Sequence, residues 1–105
     1  MVKNFDHVTV VVRDVAAAKH FFALLGFKET ASVAISGKVM DDYMGVPGIE
    51  AEHVTLALEN VTPRTEVQLL RYHNPDAIVD PNIDKLYKIG FNHICFAVST
   101  RKSPS

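Results

Sequence analysis

The sequence predicts an α+β domain made of a βαβββ unit, followed by the first strand of a second, truncated unit. Three observations predict it. Two alternating, β-branched segments flank one amphipathic helical segment. Two further alternating segments follow, separated by a turn that contains proline. A segment near the C-terminus then repeats the pattern of the first strand, which indicates a duplicated supersecondary unit.

The composition is that of one globular domain of 105 residues, with 48% hydrophobic and 22% charged residues. Eleven basic and twelve acidic residues leave a formal net charge of −1. Nucleic acids and anionic membranes are recognised by basic surfaces, so neither partner is expected. No apolar run reaches the roughly 20 residues that span a bilayer, and no signal-peptide pattern is present. The single cysteine, Cys95, cannot form an internal disulfide, which favours the cytoplasm.

The first strand is predicted over residues 5–12, which are rich in β-branched side chains. Alternation places His7, Thr9 and Val11 on one face of this strand. A helix follows over residues 15–25, with Asp14 as its N-cap and Gly26 in the position of a C-terminal glycine. One apolar stripe along this helix is expected to face the sheet, and it comprises Val15, Ala18, Phe22 and Leu25.

Three further strands complete the predicted unit. The second strand spans residues 27–35, and the loop 36–51 after it contains a helical turn at 39–44. The third and fourth strands span 52–58 and 65–72. Alternation in the fourth strand gives a common face to Glu66, Gln68, Leu70 and Tyr72.

Residues 91–98 are predicted to be a fifth strand because they echo the first one. The run Phe-Asp-His-Val at 5–8 matches Phe-Asn-His-Ile at 91–94, so that His93 stands 86 residues after His7 in the same strand phase. The predicted organisation is therefore a first unit over 1–73, a linker over 74–90, the strand 91–98 and a disordered tail over 99–105.

Four segments together resemble the vicinal oxygen chelate superfamily, and they are residues 5–10, 21–27, 66–72 and 90–98. This superfamily includes glyoxalase I, methylmalonyl-CoA epimerase, extradiol dioxygenases and bleomycin or fosfomycin resistance proteins. The chain resembles the epimerase-like and glyoxalase I-like members most. The resemblance implies two βαβββ units that form a cupped sheet, with a divalent metal ion held by ligands from the first and last strands of each unit.

The resemblance places metal ligands at His7, Gln68 and His93, while the fourth ligand of the family is expected to be missing from this chain. Independently, all three residues lie in predicted strands at matching phase. Imidazole nitrogen and amide oxygen suit Zn²⁺, Ni²⁺, Co²⁺, Mn²⁺ or Fe²⁺. The alternative for each histidine is a hydrogen-bonded strand residue without metal. Glu66 shares the face of Gln68, and a one-step change of register would exchange the two roles.

The substrate pocket is predicted from Glu66, Tyr43, Met44 and His53, with Met40 nearby in the loop. The loop residues are equally compatible with a packing role, and His53 with a structural one. No catalytic residue is assigned.

The resulting hypothesis is a metal-dependent small-molecule enzyme of lyase, isomerase or dioxygenase type. The alternatives are a metal-free ligand-binding dimer of the bleomycin-resistance type, and a truncated fragment without activity. An unpaired strand edge further predicts a homodimer, in which the 91–98 strand can be exchanged.

Overall fold

The structure is a computed structural model that describes residues 1–99. Four strands form one mixed sheet: β1 (His7–Val11), β2 (Lys28–Ser36), β3 (Glu50–Leu58) and β4 (Thr65–Asn74). The spatial order is β1-β4-β3-β2, with β1 parallel to β4 and the other neighbours antiparallel. Two helices, α1 (Val15–Leu24) and α2 (Lys38–Met44), follow β1 and β2. The predicted α+β class and the βαβββ order are confirmed. Most of the tail predicted over 99–105 lies outside the described residues.

Helix α1 begins and ends where its local signals indicate. The Asp14 carboxylate accepts a hydrogen bond of 3.0 Å from the backbone N–H of Ala17, which satisfies one of the free donors of the first turn. Gly26 follows the helix with φ +96°, a conformation that glycine adopts without strain. The helix ends at Leu24, one residue earlier than predicted, and Leu25 is 40% exposed. Leu25 therefore contributes little to the predicted apolar stripe.

The core lies between α1 and one face of the sheet. Its buried members come from α1, β3, β4 and the residue before β2, and they are Val15, Phe27, Val54, Leu56, Val67 and Leu69. The side chains of Val8, Val10, Ala18 and Phe22 pack against this cluster. Each fully buried aliphatic side chain contributes about 1.5–3 kcal/mol of transfer free energy, so this face holds the unit together.

The opposite face of the sheet is partly covered by α2. A second buried cluster forms there from Ile35, Ile49, Ala51 and Leu70, with Met40 and Met44 of α2 packed against it. The backbone N–H of Ile49 donates a hydrogen bond of 2.8 Å to the Asp41 carboxylate, which ties the end of the loop to the helix. The helical turn predicted at 39–44 is thus a helix of seven residues.

The fifth strand predicted over 91–98 is not formed, although the structure describes this segment in full. The segment has no ladder partner: within residues 1–99, β1 pairs only with β4. It is instead held by Phe96, whose ring centroid lies 5.6 Å from that of Phe27 on the α1 side. A strand is stabilised by pairing rather than by its own pattern, so without pairing the alternation of this segment produces no strand. Cys95 is exposed.

The segment between β4 and residue 91 consists of turns. Backbone N–H groups of Ile83, Lys85 and Lys88 each donate to a carbonyl three residues earlier. Lys88 also donates to the Asp80 carboxylate at 2.5 Å. Neither helix among residues 1–99 is long and apolar enough to cross a membrane.

Candidate functional site

A cavity of about 490 Å³ lies on the face of the sheet opposite α1. Four polar side chains line it, and they are His7, Thr9, His53 and Gln68. Six apolar or aromatic side chains complete the lining, and they are Val33, Ile35, Met40, Tyr43, Met44 and Leu70. Cavities of this volume and mostly apolar lining are typical of small-molecule sites.

Strand register brings the polar residues together. Thr9 on β1 lies opposite Gln68 on β4, and the other neighbour of Gln68 is Thr55 on β3. His53 lies opposite Leu70, which is two residues beyond Gln68 and points to the same face. The side chains of His7, Thr9, His53 and Gln68 therefore come from three adjacent strands and converge on one face.

The Gln68 amide is the centre of a hydrogen-bond network. Its Oε1 accepts from His53 Nε2 at 3.0 Å and from Thr9 Oγ1 at 3.4 Å. Its Nε2 donates to Glu66 Oε1 at 3.2 Å. A carboxylate only accepts hydrogen bonds, so Glu66 requires the NH₂ group of the amide on its side. The carbonyl oxygen must then face His53, whose Nε2 carries the proton.

His7 is oriented by the residue before it. Its Nδ1 donates to Asp6 Oδ2 at 2.6 Å, so Nε2 is the ring nitrogen available to a ligand or a metal ion. A carboxylate on the second ring nitrogen is the usual partner of a metal-binding histidine, because it fixes the tautomer and raises the basicity of the free nitrogen.

Glu66 supports the site without lining the cavity. Its carboxylate accepts from Gln68, and its other oxygen lies 3.4 Å from Arg64 Nη2. The amide of Gln68 and the guanidinium group of Arg64 therefore both stabilise the negative charge of Glu66. Among the residues predicted for the pocket, Tyr43, Met44 and His53 line the cavity, whereas Glu66 is not part of its lining.

The structure brings together two of the three predicted metal ligands. His7 and Gln68 line the cavity, whereas His93 lies outside its lining and is exposed. The Nδ1 of His93 contacts Asn92 Oδ1 at 2.6 Å, which repeats the local arrangement of His7 and Asp6. Within residues 1–99, no group of three or more His, Cys, Asp or Glu side chains is placed to hold one metal ion. His7 and Gln68 are therefore the two predicted ligands that share one cavity.

Several lining residues were not predicted as site residues. Thr9 and Leu70 share strand faces with His7 and Gln68, so alternation could have identified them. Val33 and Ile35 could not be identified in this way, because their position depends on the pairing of β2 with β3. That pairing places Val33 opposite His53.

Comparison with solved structures found a glyoxalase family protein from Bacillus cereus whose fold is similar to this one. The two chains align with a TM-score of 0.73 and 21% sequence identity, over 87% of this chain. This chain spans 62% of the length of that protein. No family model and no curated protein matches the sequence. At this identity the similarity shows the fold, which is a βαβββ unit of the glyoxalase type.

Proposed function

We propose that this chain is one half of a metal-dependent small-molecule enzyme of the vicinal oxygen chelate type, with lyase, isomerase or dioxygenase chemistry. The observation that carries the proposal is His7, oriented through Nδ1 by Asp6, beside Gln68 at an apolar cavity. A bound divalent ion, Zn²⁺, Ni²⁺, Co²⁺, Mn²⁺ or Fe²⁺, would supply a Lewis acid that polarises a substrate oxygen. The single, exposed Cys95 is compatible with the reducing cytoplasm that we propose as its compartment.

The residues of this chain would have separate roles in binding the ion and the substrate. His7 offers Nε2 to the ion, and Gln68 offers Oε1 once the 3.4 Å hydrogen bond from Thr9 is released. His53 keeps the Gln68 carbonyl turned away from Glu66. The apolar lining would shield part of a bound substrate from water, which strengthens polar interactions at its oxygen end.

A second copy of the chain would complete the ligand set. One edge of the sheet is β1, whose second side has no strand partner among residues 1–99. The segment 78–91 exposes several large apolar side chains, and these include Ile78, Leu86, Tyr87, Ile89 and Phe91. An open sheet edge and exposed apolar surface each favour association. We propose a homodimer in which His93 of the second copy approaches the cavity, with exchange of residues 91–98 as one form of it.

A metal-free ligand-binding dimer is the second candidate. The Gln68 oxygen favours it, because its two lone pairs already accept hydrogen bonds from His53 and Thr9. In that case the network would serve as a polar anchor for a ligand rather than as a metal site.

Thermal unfolding of the full chain with each divalent ion, against the chelated protein, distinguishes the two functions. An ion that binds only the folded state at 100 times its Kd adds about 2.7 kcal/mol, so the melting temperature should rise by several degrees. His7→Ala, Gln68→Ala and His93→Ala should each remove this rise. His20→Ala and His73→Ala are matched controls, because both histidines are exposed and lie outside the cavity.

The mass in solution completes the experiment. Light scattering at micromolar concentration should give a dimer, and the His93→Ala variant should remain dimeric while losing the metal response. Melting temperatures that no ion changes would reject the metal-dependent function and leave the binding protein. A monomer that responds fully to metal would reject completion by a second copy.

A further inference from the structure

The cavity has two chemically different ends. The polar end is formed on β1, β3 and β4 by the network around Gln68. The other end lies between the sheet and α2, and its lining is Val33, Ile35, Met40, Tyr43, Met44 and Leu70. None of the ten lining residues, all within the described part of the chain, is a lysine, arginine, aspartate or glutamate.

The charged side chains of Glu66 on β4 and of Lys38 and Asp42 on α2, two elements that contribute to the lining, already have partners. Glu66 is paired with Arg64, and on α2 Lys38 contacts Asp42 at 3.2 Å. A charged substituent in the apolar end would therefore lose its hydration without meeting an opposite charge, which is costly. This argument excludes phosphate, sulfonate and carboxylate groups from the part of a ligand that lies under α2.

We propose that the ligand of this cavity has an uncharged, apolar body of one or two rings under α2 and an oxygen-bearing end at Gln68. This assignment of the ligand class rests on the proposed function only in that both use the same cavity. The volume of about 490 Å³ accommodates a ligand of this size. Met40 and Met44 adapt their shape to a ring and make favourable sulfur–aromatic contacts. Tyr43, which is 84% exposed, supplies an aromatic face at the rim.

Two ligands with the same oxygen-bearing end, which differ in charge at the opposite end, test the proposal. 2-Naphthylmethanol is uncharged, whereas 6-(hydroxymethyl)-2-naphthoate has the same alcohol end and a carboxylate at the opposite end, which would lie under α2. Their naphthalene fluorescence reports binding to the chelator-treated 105-residue chain at neutral pH. The chelator removes metal ions, which would attract the carboxylate. We expect the uncharged alcohol to bind about tenfold more tightly or better, because the carboxylate is desolvated without a partner.

A pair of lysine variants locates the binding. Val33→Lys adds a cation to the cavity wall at a position that is 55% exposed, so the fold should tolerate it. This variant should bind the carboxylate about tenfold more tightly than the parent does. Val39→Lys is the matched control, because Val39 lies on α2, is exposed and is outside the cavity lining. Its two affinities should equal those of the parent.

Three results would overturn the proposal: equal affinity for the two ligands, binding of neither, or equal effects of the two lysine variants. Circular dichroism of both variants verifies that they are folded. The proposed metal function fails separately, when divalent ions leave the melting temperature unchanged while the uncharged alcohol still binds better than the carboxylate.

Discussion

His53 on β3 and Gln68 on β4 are joined by a hydrogen bond of 3.0 Å, although they do not face each other in the strand register. Gln68 lies opposite Thr55, and His53 lies opposite Leu70. The bond is a diagonal contact across one pleat, at a range that long side chains can reach. The resemblance makes Gln68 a metal ligand but gives no metal-binding role to His53. The hydrogen bond therefore links a predicted ligand to a histidine outside the predicted ligand set.

Replacing His53 by leucine tests what this bond does. Loss of one donor to the Gln68 oxygen should lower the free energy of unfolding by about 0.5–1.5 kcal/mol. It should also increase the rise in melting temperature caused by divalent ions, because a lone pair of Gln68 is released. Urea unfolding measures the first effect and thermal unfolding with metal the second.

His73→Leu is the control, since His73 is exposed at the end of β4. A complete loss of the metal response in His53→Leu would contradict this view, because it would show that the ion needs His53 either as a ligand or to orient Gln68.

Phe27 anchors an aromatic cluster between α1 and the C-terminal segment. It is 4% exposed, and its ring lies 5.7 Å from that of Phe22 and 5.6 Å from that of Phe96. Phe27→Ala should cost about 3–5 kcal/mol, because the truncation leaves a cavity in the core.

Phe21→Ala should cost less than about 1 kcal/mol, because Phe21 is 56% exposed. Phe22→Ala should fall between them, since Phe22 is half-buried. Denaturant unfolding of the three variants measures the order, and equal costs for Phe21 and Phe27 would refute the packing.

Asp14 stabilises the start of α1 by accepting the N–H of Ala17. Asp14→Ala should lower the free energy of unfolding by about 1 kcal/mol, because this donor is left without a partner. Asp42→Ala removes an exposed carboxylate paired with Lys38 and should change stability by less than about 0.5 kcal/mol. Chemical unfolding compares them, and an equal effect of the two substitutions would argue against capping.

Asp80 carries a pH-dependent contact in the turns after β4. The hydrogen bond from Lys88, followed by that from the backbone N–H of Asn82, holds the pKa of the Asp80 carboxyl below its usual value. Because this pKa is lower in the folded chain, the contact is fully present above the ordinary pKa of aspartate. It is lost as the pH falls through the lowered pKa.

Lys88→Ala should return the pKa of Asp80 toward its usual value, as followed by NMR titration of the carboxyl carbon. Lys85→Ala removes a neighbouring charge that makes no ion pair with Asp80 and should leave that pKa lowered. A pKa that stays unchanged in Lys88→Ala would show that the ion pair is not formed in solution.

Local signals in the sequence were enough to predict the four strands and α1. These signals depend on neighbouring residues only, and they are the cap at Asp14, the glycine after the helix and the alternation that puts His7 and Thr9 on one face. The same signals failed at Leu25 and over 91–98. Leu25 follows the helical period but lies beyond the last helical residue, and the 91–98 segment has alternation without a strand to pair with.

The sequence by itself determined which residues of one strand share a face, because side chains alternate with a period of two along a regular strand. Alternation therefore grouped His7 with Thr9 and Gln68 with Leu70, and all four residues line the cavity. Tertiary structure alone decided that Val33 stands opposite His53, that α2 covers the apolar end of the cavity and that His93 stays outside it. Register, helix docking and strand partners depend on contacts between residues far apart in the chain, and a local pattern contains no information about which of these contacts bury the most surface.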